Sequence, residues 1–400
     1  MNLFTGIQYL QIDIANSFGL DKEIWENRLA WFAQNEHQLE HLVSKAKEPA
    51  MFHAGVQAYR EVQCGNPIGY MASLDATSSG LQILACLTGD RKTAELCNVI
   101  DVGYRENAYK ALHDAMISQT GLGSGITLEM AKQAIMTAFY GSTAEPKRVF
   151  GEGELLTVFN DTMATMAPAA WDLNQFMLQI WDPNALEYNW VMPDNFHVNT
   201  KVMNHVHETV NVMGEPFEVT YKENAPTEQG RALGANMTHS VDGFMVREMT
   251  RRCDYDPVKV HQILDLIEAG ISGDKATVTD DDHLVCVLWD HYQNSGYLSA
   301  RILDHINADN LGHVDRDTIL ELIGTLPAKP FKLVSVHDCF RFLPHYGDDV
   351  RRQYNLQLTL IARSNLLQDL LSQITNRKMS ISKLDMTLQN DTMQANYALS

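Results

Sequence analysis

The chain of 400 residues is short of positive charge: 31 lysines and arginines face 50 aspartates and glutamates, a formal balance of −19. Lys and Arg contacts to phosphate supply most non-specific affinity for nucleic acid, so this balance predicts weak unaided binding to duplex DNA. The deficit is uneven, because Asp254 to Lys329 alone holds 14 acidic and 5 basic residues. Cysteine is sparse and scattered. Cys64, Cys86, Cys97, Cys253, Cys286 and Cys339 form no C-x-x-C pair, so neither a zinc ribbon nor a disulfide framework is indicated, and a reducing cytosol is expected. Long apolar runs are missing as well. The longest, Leu284 to Trp289, falls far below the roughly 20 residues of a membrane-spanning helix. Met1 to Leu20 lacks a basic start and carries Asp13 inside its apolar stretch, unlike a secretory signal. There is no internal repeat or low-complexity tract. What remains, 45% hydrophobic and 20% charged residues, is an ordinary globular composition with room for several substructures.

Apolar spacing of three and four predicts helices over Trp25 to Phe32, Leu39 to Lys45 and Met51 to Tyr59, the last ending at the Gly65-Asn66-Pro67 turn. A short strand, Tyr70 to Leu74, then delivers Asp75. Helices dominate from Leu81 to about Leu178, interrupted by the glycine-rich 121–125 turn. Alternation from Tyr188 to Val219 reads as hairpin strands. Helix returns over Thr238 to Arg252. Two short strands, Lys332 to His337 and Phe340 to Leu343, bracket Asp338, and one long helix is expected from about Asp348 to Leu371.

Three segments carry candidate chemistry. In Leu74-Asp75-Ala76-Thr77-Ser78-Ser79-Gly80-Leu81-Gln82, a strand ends in a carboxylate and turns through small residues that let a bulky substrate approach the backbone. Alone, it equally describes an aspartate in a strand–helix turn with Ser78 as helix cap. In Lys132-Gln133-Ala134-Ile135-Met136-Thr137-Ala138-Phe139-Tyr140-Gly141, eight residues of helix, about 12 Å, put Lys132 and Tyr140 on roughly one face. That span suits a nucleoside triphosphate; a core helix with a surface Lys and a buried Tyr fits equally. In Val336-His337-Asp338-Cys339-Phe340, a hairpin tip presents a second carboxylate. If the two strands neighbour each other, Asp75 and Asp338 can hold two Mg²⁺ ions about 4 Å apart.

In this order the three segments resemble the A, B and C motifs of the phage-type, T7-like single-subunit DNA-directed RNA polymerases. Further stretches are similar to that family: Tyr9 to Lys22 with the later Gln34-Asn35-Glu36-His37, Asn189-Trp190-Val191-Met192-Pro193-Asp194-Asn195-Phe196, and Ala235-Asn236-Met237-Thr238-His239-Ser240-Val241-Asp242-Gly243. Tyr397-Ala398-Leu399-Ser400 is similar to the family's carboxyl terminus.

The resemblance implies an α+β right-hand fold, mostly helical with a small antiparallel palm sheet. Residues 1–100 would be the amino-terminal helices and first part of the palm, 101–238 the fingers, 239–253 the return to the palm, 254–328 an acidic insertion, and 329–400 the palm, C-terminal helix and tail. It implies transfer of nucleotides from NTPs to the 3′-hydroxyl of a growing RNA on a DNA template. Asp75 and Asp338, with the Ala76 carbonyl, would hold two Mg²⁺; Lys132 and Lys22 would clamp the triphosphate; Tyr140 and His239 would read the sugar. Related DNA polymerases carry a Glu in the first motif and a second acid after the third-motif Asp, where this chain has Ser79-Gly80-Leu81 and Cys339.

The chain also departs from the family. Leu128 stands where a second triphosphate-binding Arg is usual, so either Lys22 and a displaced cation compensate or nucleotide affinity is lower. Cys339 replaces a Ser, and 254–328 is extra. Counterparts of the promoter-binding domain, the thumb and the first palm strands are missing, which predicts a smaller second polypeptide completing the fold, as in the two-chain enzymes of N4-like phages. Acidity and the missing promoter domain suggest recruitment by a single-stranded-DNA-binding or other accessory protein, in the cytoplasm of an infected bacterium. The competing readings are a non-catalytic DNA-binding or assembly subunit with a polymerase shape, and a family A-like DNA polymerase.

Asn307 to Thr318 imitates a calcium loop, but Leu311 and Thr318 replace required oxygen ligands, and Asp315 or Asp317 is better explained as a helix cap. His37 with His41, and His205 with His207, lack a third ligand. Asp280-Asp281-Asp282 reads as a solvated loop.

Overall fold

Two short alternating stretches far apart in sequence meet in one small antiparallel sheet of the computed structural model, which describes residues 1–121, 125–139, 141–228, 230, 232–270 and 279–400. In chain order the strands are β1 (Ala72–Asp75), β2 (Glu187–Val191), β3 (His197–Lys201), β4 (Met203–Val212), β5 (Glu215–Asn224), β6 (Val334–Val336) and β7 (Cys339–Phe342). The three-stranded sheet has the order β1-β7-β6; β2 pairs with β3, and β4 with β5. The rest of the fold is mostly helical. In β1 and β7, Ala72 lies opposite Phe342 and Leu74 opposite Phe340, and all four are buried. A fully buried Phe or Leu stabilises by about 1.5–3 kcal/mol. Because successive side chains alternate faces, Ser73, Asp75, Cys339 and Arg341 fall on the other face.

That sheet leans on helix Gly6–Ala15, which explains an acid inside an apolar helix. Asp13 is buried and accepts from the Ser73 amide and hydroxyl, each at 2.9 Å, and from the Tyr70 hydroxyl at 2.6 Å. Behind the sheet, helix Ser79–Thr88 is buried along its whole length and packs against helices Pro168–Gln179, Ala232–Cys253 and Gly347–Arg363. Its Gln82 side chain donates to Thr77 Oγ1 at 2.9 Å, to the Cys97 carbonyl at 3.0 Å and to the Ala398 carbonyl at 2.9 Å, and accepts from the Tyr354 hydroxyl at 2.7 Å. Ser78 occupies the N-cap position, but its hydroxyl makes no capping bond.

Residues 254–328 build a core of their own from Ile263, Val285, Leu288, Ile302, Leu311 and Ile319. Polar groups tie it to the rest. Buried Glu248 accepts from the Ser299 hydroxyl and from the Ala300 amide at 2.9 Å. Buried Asp194 accepts from Arg247 at 2.6 Å and Arg251 at 2.7 Å, while its own carbonyl accepts from Arg301 at 2.7 Å.

Two expectations need correction. Asp280, Asp281 and Asp282 are not a solvated loop: they are the first turn of helix Asp280–Ser295, with Thr279 and Asp282 forming a reciprocal capping box, a place where the helix dipole favours acids. The single helix expected to Leu371 is two, Gly347–Arg363 and Leu366–Thr375. Ser364 turns extended between them, and the Asn365 amide donates at 2.7 Å to Ser295 of the 254–328 segment instead of continuing the helix. Asp315 caps helix Arg316–Gly324, accepting from the Thr318 amide. Among the described residues no helix is long and apolar enough to cross a membrane.

Candidate active site

Asp75 ends β1, and Asp338 occupies the two-residue turn that joins β6 to β7 across the Val336–Cys339 pair. His337 opens that turn with φ 55, in the left-handed region that residues other than glycine seldom use. The reversal sets Asp338 beside the end of β1: the Ala76 amide donates to the Asp338 carbonyl at 3.2 Å, and Asp75 lies opposite Cys339.

Asp338 is close enough to oppose the ionisation of Asp75. Burial first, then the charge of Asp338, raises the Asp75 carboxyl to about 6. Asp75 opens onto a cleft, but the surrounding protein wall removes much of the bulk water that would stabilise its charge. A third acid joins them: Asp242, on helix Ala232–Cys253, is also raised to about 6 by burial and then Asp338, opposed by a hydrogen bond from Ser79. Sequence reasoning missed Asp242, although it stood inside the stretch that supplied His239. Burial, and then Asp75, push the Cys339 thiol up to about 11, so it is a neutral neighbour.

Among the described residues no group of three or more His, Cys, Asp or Glu forms a self-sufficient metal site. Two carboxylates with the adjoining Ala76 carbonyl do suit Mg²⁺, which keeps several waters and takes one or two carboxylates together with substrate phosphates.

The turn after Asp75 is a wall shared by three adjoining cavities. One of about 180 Å³ runs from Ala76 and Ser79 to Asp338, Tyr109 and the helix Leu128–Ala138. A second, about 450 Å³, is bounded by Asp75, Lys22, Arg105 and Arg341. The third, about 120 Å³, has Lys22, Arg105 and Lys132 together with Thr77 and Ser78. Lys22 and Lys132 are thus brought to one cavity. His239 is exposed, three residues before Asp242 on the same helix, and lines none of the three cavities. Tyr140 lies outside the described residues. Arg105, between the two lysines, belongs to no motif and was not foreseen.

Comparison with known proteins points the same way over the first part of the chain. The profile of the family described as DNA-dependent RNA polymerase matches residues 4–151. A probable DNA-directed RNA polymerase of Neurospora crassa is 30% identical over 161 residues, covering 34% of this chain and 18% of that protein. A DNA-directed RNA polymerase of Pseudomonas phage phiKMV is 29% identical over 114 residues, covering 24% of this chain and 14% of that protein. The aligned segments therefore span less than a fifth of either relative. Asp75 and Lys132 fall inside the matched residues and Asp338 outside them; over residues 4–151 the chain is similar to DNA-dependent RNA polymerases.

Proposed function

We propose that this chain is the catalytic part of a phage-type DNA-directed RNA polymerase, joining nucleotides from NTPs to the 3′-hydroxyl of an RNA on a DNA template. One observation carries the reading: Asp75 ends β1 beside the turn that holds Asp338 and leads into β7, and the adjoining cavities hold Asp338, Lys22 and Lys132. In this reading the β1-β7-β6 sheet is the palm and the helices after Asp75 belong to the fingers. Asp75 and Asp338, with the Ala76 carbonyl, hold two Mg²⁺, which when bound activate the attacking hydroxyl and stabilise the leaving pyrophosphate. Lys22 and Lys132 neutralise the triphosphate and fix its direction. Tyr140 and His239 read the ribose; a site built to hydrogen-bond a hydroxyl discriminates strongly against its absence.

The reading extends to a two-chain enzyme like those of N4-like phages, of which this is the larger chain, working in an infected bacterium with a smaller subunit and an accessory DNA-binding protein. The net charge of −19 supports dependence on such recruitment. Primer extension on single-stranded template, with and without co-purified chains, tests the proposal. RNA synthesis that requires both Asp75 and Asp338 is expected. Equal synthesis by Asp75→Asn would overturn it, and preferred use of deoxynucleotides in competition would reassign the chain as a DNA polymerase.

A further inference from the structure

Arg105 makes no ion pair among the described residues, although the charges of Asp21 and Glu23 act on it from nearby. It stands in the loop before helix Ala108–Thr120, and the loop is clamped next to it: the Asn98 side chain donates to the Glu106 carbonyl at 3.0 Å and accepts from the Glu106 amide at 2.7 Å. Arg105 Nη1 donates to the Lys22 carbonyl and Nε to Ser400 Oγ, both at 3.3 Å. A guanidinium has five N–H donors, so three remain without a protein partner among the described residues, and no carboxylate pairs with it. Asp21, in the same cavity, pairs instead with Lys47 at 3.5 Å.

A second guanidinium lies behind it. Arg28 is fully buried, donates to the carbonyls of Glu23 and Asp21 at 2.9 Å each, and leaves Nη1 unpartnered. It braces the turn that carries Lys22, and its basicity is lowered first by burial and then by the charge of Arg105. Buried charges are normally paired. Arg105 lines the cavity and Arg28 lies buried behind it over the Trp25 ring; neither is in an ion pair among the described residues, which marks a place where a balancing anion can come from outside.

We infer that Arg105 binds the polyphosphate tail of the incoming nucleotide, as the third cation between Lys22 and Lys132. The geometry is that of one continuous wall: Arg105 lines both the cavity that holds Asp75 and the cavity that holds Lys132. Its planar fork suits phosphate oxygens, whereas the lysines act as point charges. The inference rests on the polymerase reading for its substrate, and it accounts for the leucine at 128: the exposed side chain of Leu128 offers no charge, and Arg105 supplies it from a different segment.

The test is direct binding, which needs no turnover. Affinities of ATP, adenosine and inorganic tripolyphosphate are measured by calorimetry for the wild-type chain, Arg105→Gln and Arg105→Lys, with thermal melting as a check on folding. Loss of charge-assisted bonds to phosphate is expected to weaken ATP and tripolyphosphate binding about 10- to 100-fold in Arg105→Gln. Adenosine binding should be unchanged and Arg105→Lys should recover part of the loss. ATP affinity within twofold of wild type in Arg105→Gln overturns the inference, as does a wild-type chain that binds neither ATP nor tripolyphosphate. If Arg105→Gln melts early, Arg105→Lys decides: selective weakening of the two polyphosphate ligands supports the role, and equal weakening of adenosine overturns it. A wild-type chain that binds ATP through Arg105 yet makes no RNA sinks the polymerase reading alone.

Discussion

The Ala76 amide donates to the Asp338 carbonyl at 3.2 Å, so the two acidic turns are joined through their backbones before any ligand arrives. Asp75 is held where the charge of Asp338 raises the cost of its ionisation, and such opposition is relieved by a divalent cation or by losing one charge. Asp75→Asn and Asp338→Asn should therefore separate activity from stability. RNA synthesis in primer extension is expected to fall at least 100-fold, about 2.7 kcal/mol of barrier. The melting temperature should hold or rise.

Tyr140 is eight residues from Lys132 and carries the sugar-reading role by resemblance. Tyr140→Phe removes only a hydroxyl. It should leave incorporation of ribonucleotides within a few-fold and increase that of deoxynucleotides, measured as the ratio of kcat/KM for ATP and dATP. An unchanged ratio removes Tyr140 from that role.

Lys383 reaches inward, donating to the carbonyls of Ile361 at 2.6 Å and Cys86 at 3.0 Å, and burial holds its ammonium down to about 8. A lysine whose folded value lies below its unfolded one takes up its proton less readily when folded. Its unfavourable contribution is therefore complete below pH 8 and disappears as the pH rises from about 8 to 10.5. Stability in urea should gain about 3 kcal/mol from this group across that window, and Lys383→Met should lack the gain.

Asp194 satisfies two arginines from the helix Ala232–Cys253 while its own carbonyl receives Arg301. Removing the buried partner strands two half-buried arginines, which puts the cost at the low end for a buried ion pair, about 3 kcal/mol. Asp194→Ala should lower the unfolding free energy measured in urea by that order and speed proteolysis within 254–328; the Asn variant should do so less.

The strands around Asp75 and Asp338 were legible because apolar alternation marks them, and Lys22 and Lys132 because their spacing repeats a family pattern. β1 was read two residues early, since Tyr70 is apolar in sequence but spends its hydroxyl on Asp13. Other features depend on partners that sequence order hides. Ser364 interrupts a helical pattern only because Ser295 supplies a carbonyl to Asn365. The three aspartates at 280–282 look like a loop until Thr279 caps them. Arg105 gains its meaning from Lys22 and Lys132, both distant in sequence, and no local pattern singles it out.

Gln82 draws the turn after Asp75, the Cys97 loop, the helix of Tyr354 and the segment of Ala398 onto a single amide. Efforts to reshape substrate preference by directed evolution should leave that residue fixed and diversify the rim instead. Exchanging this one uncharged side chain would loosen four segments that meet behind the cleft at once and make every library member look inactive for the same reason.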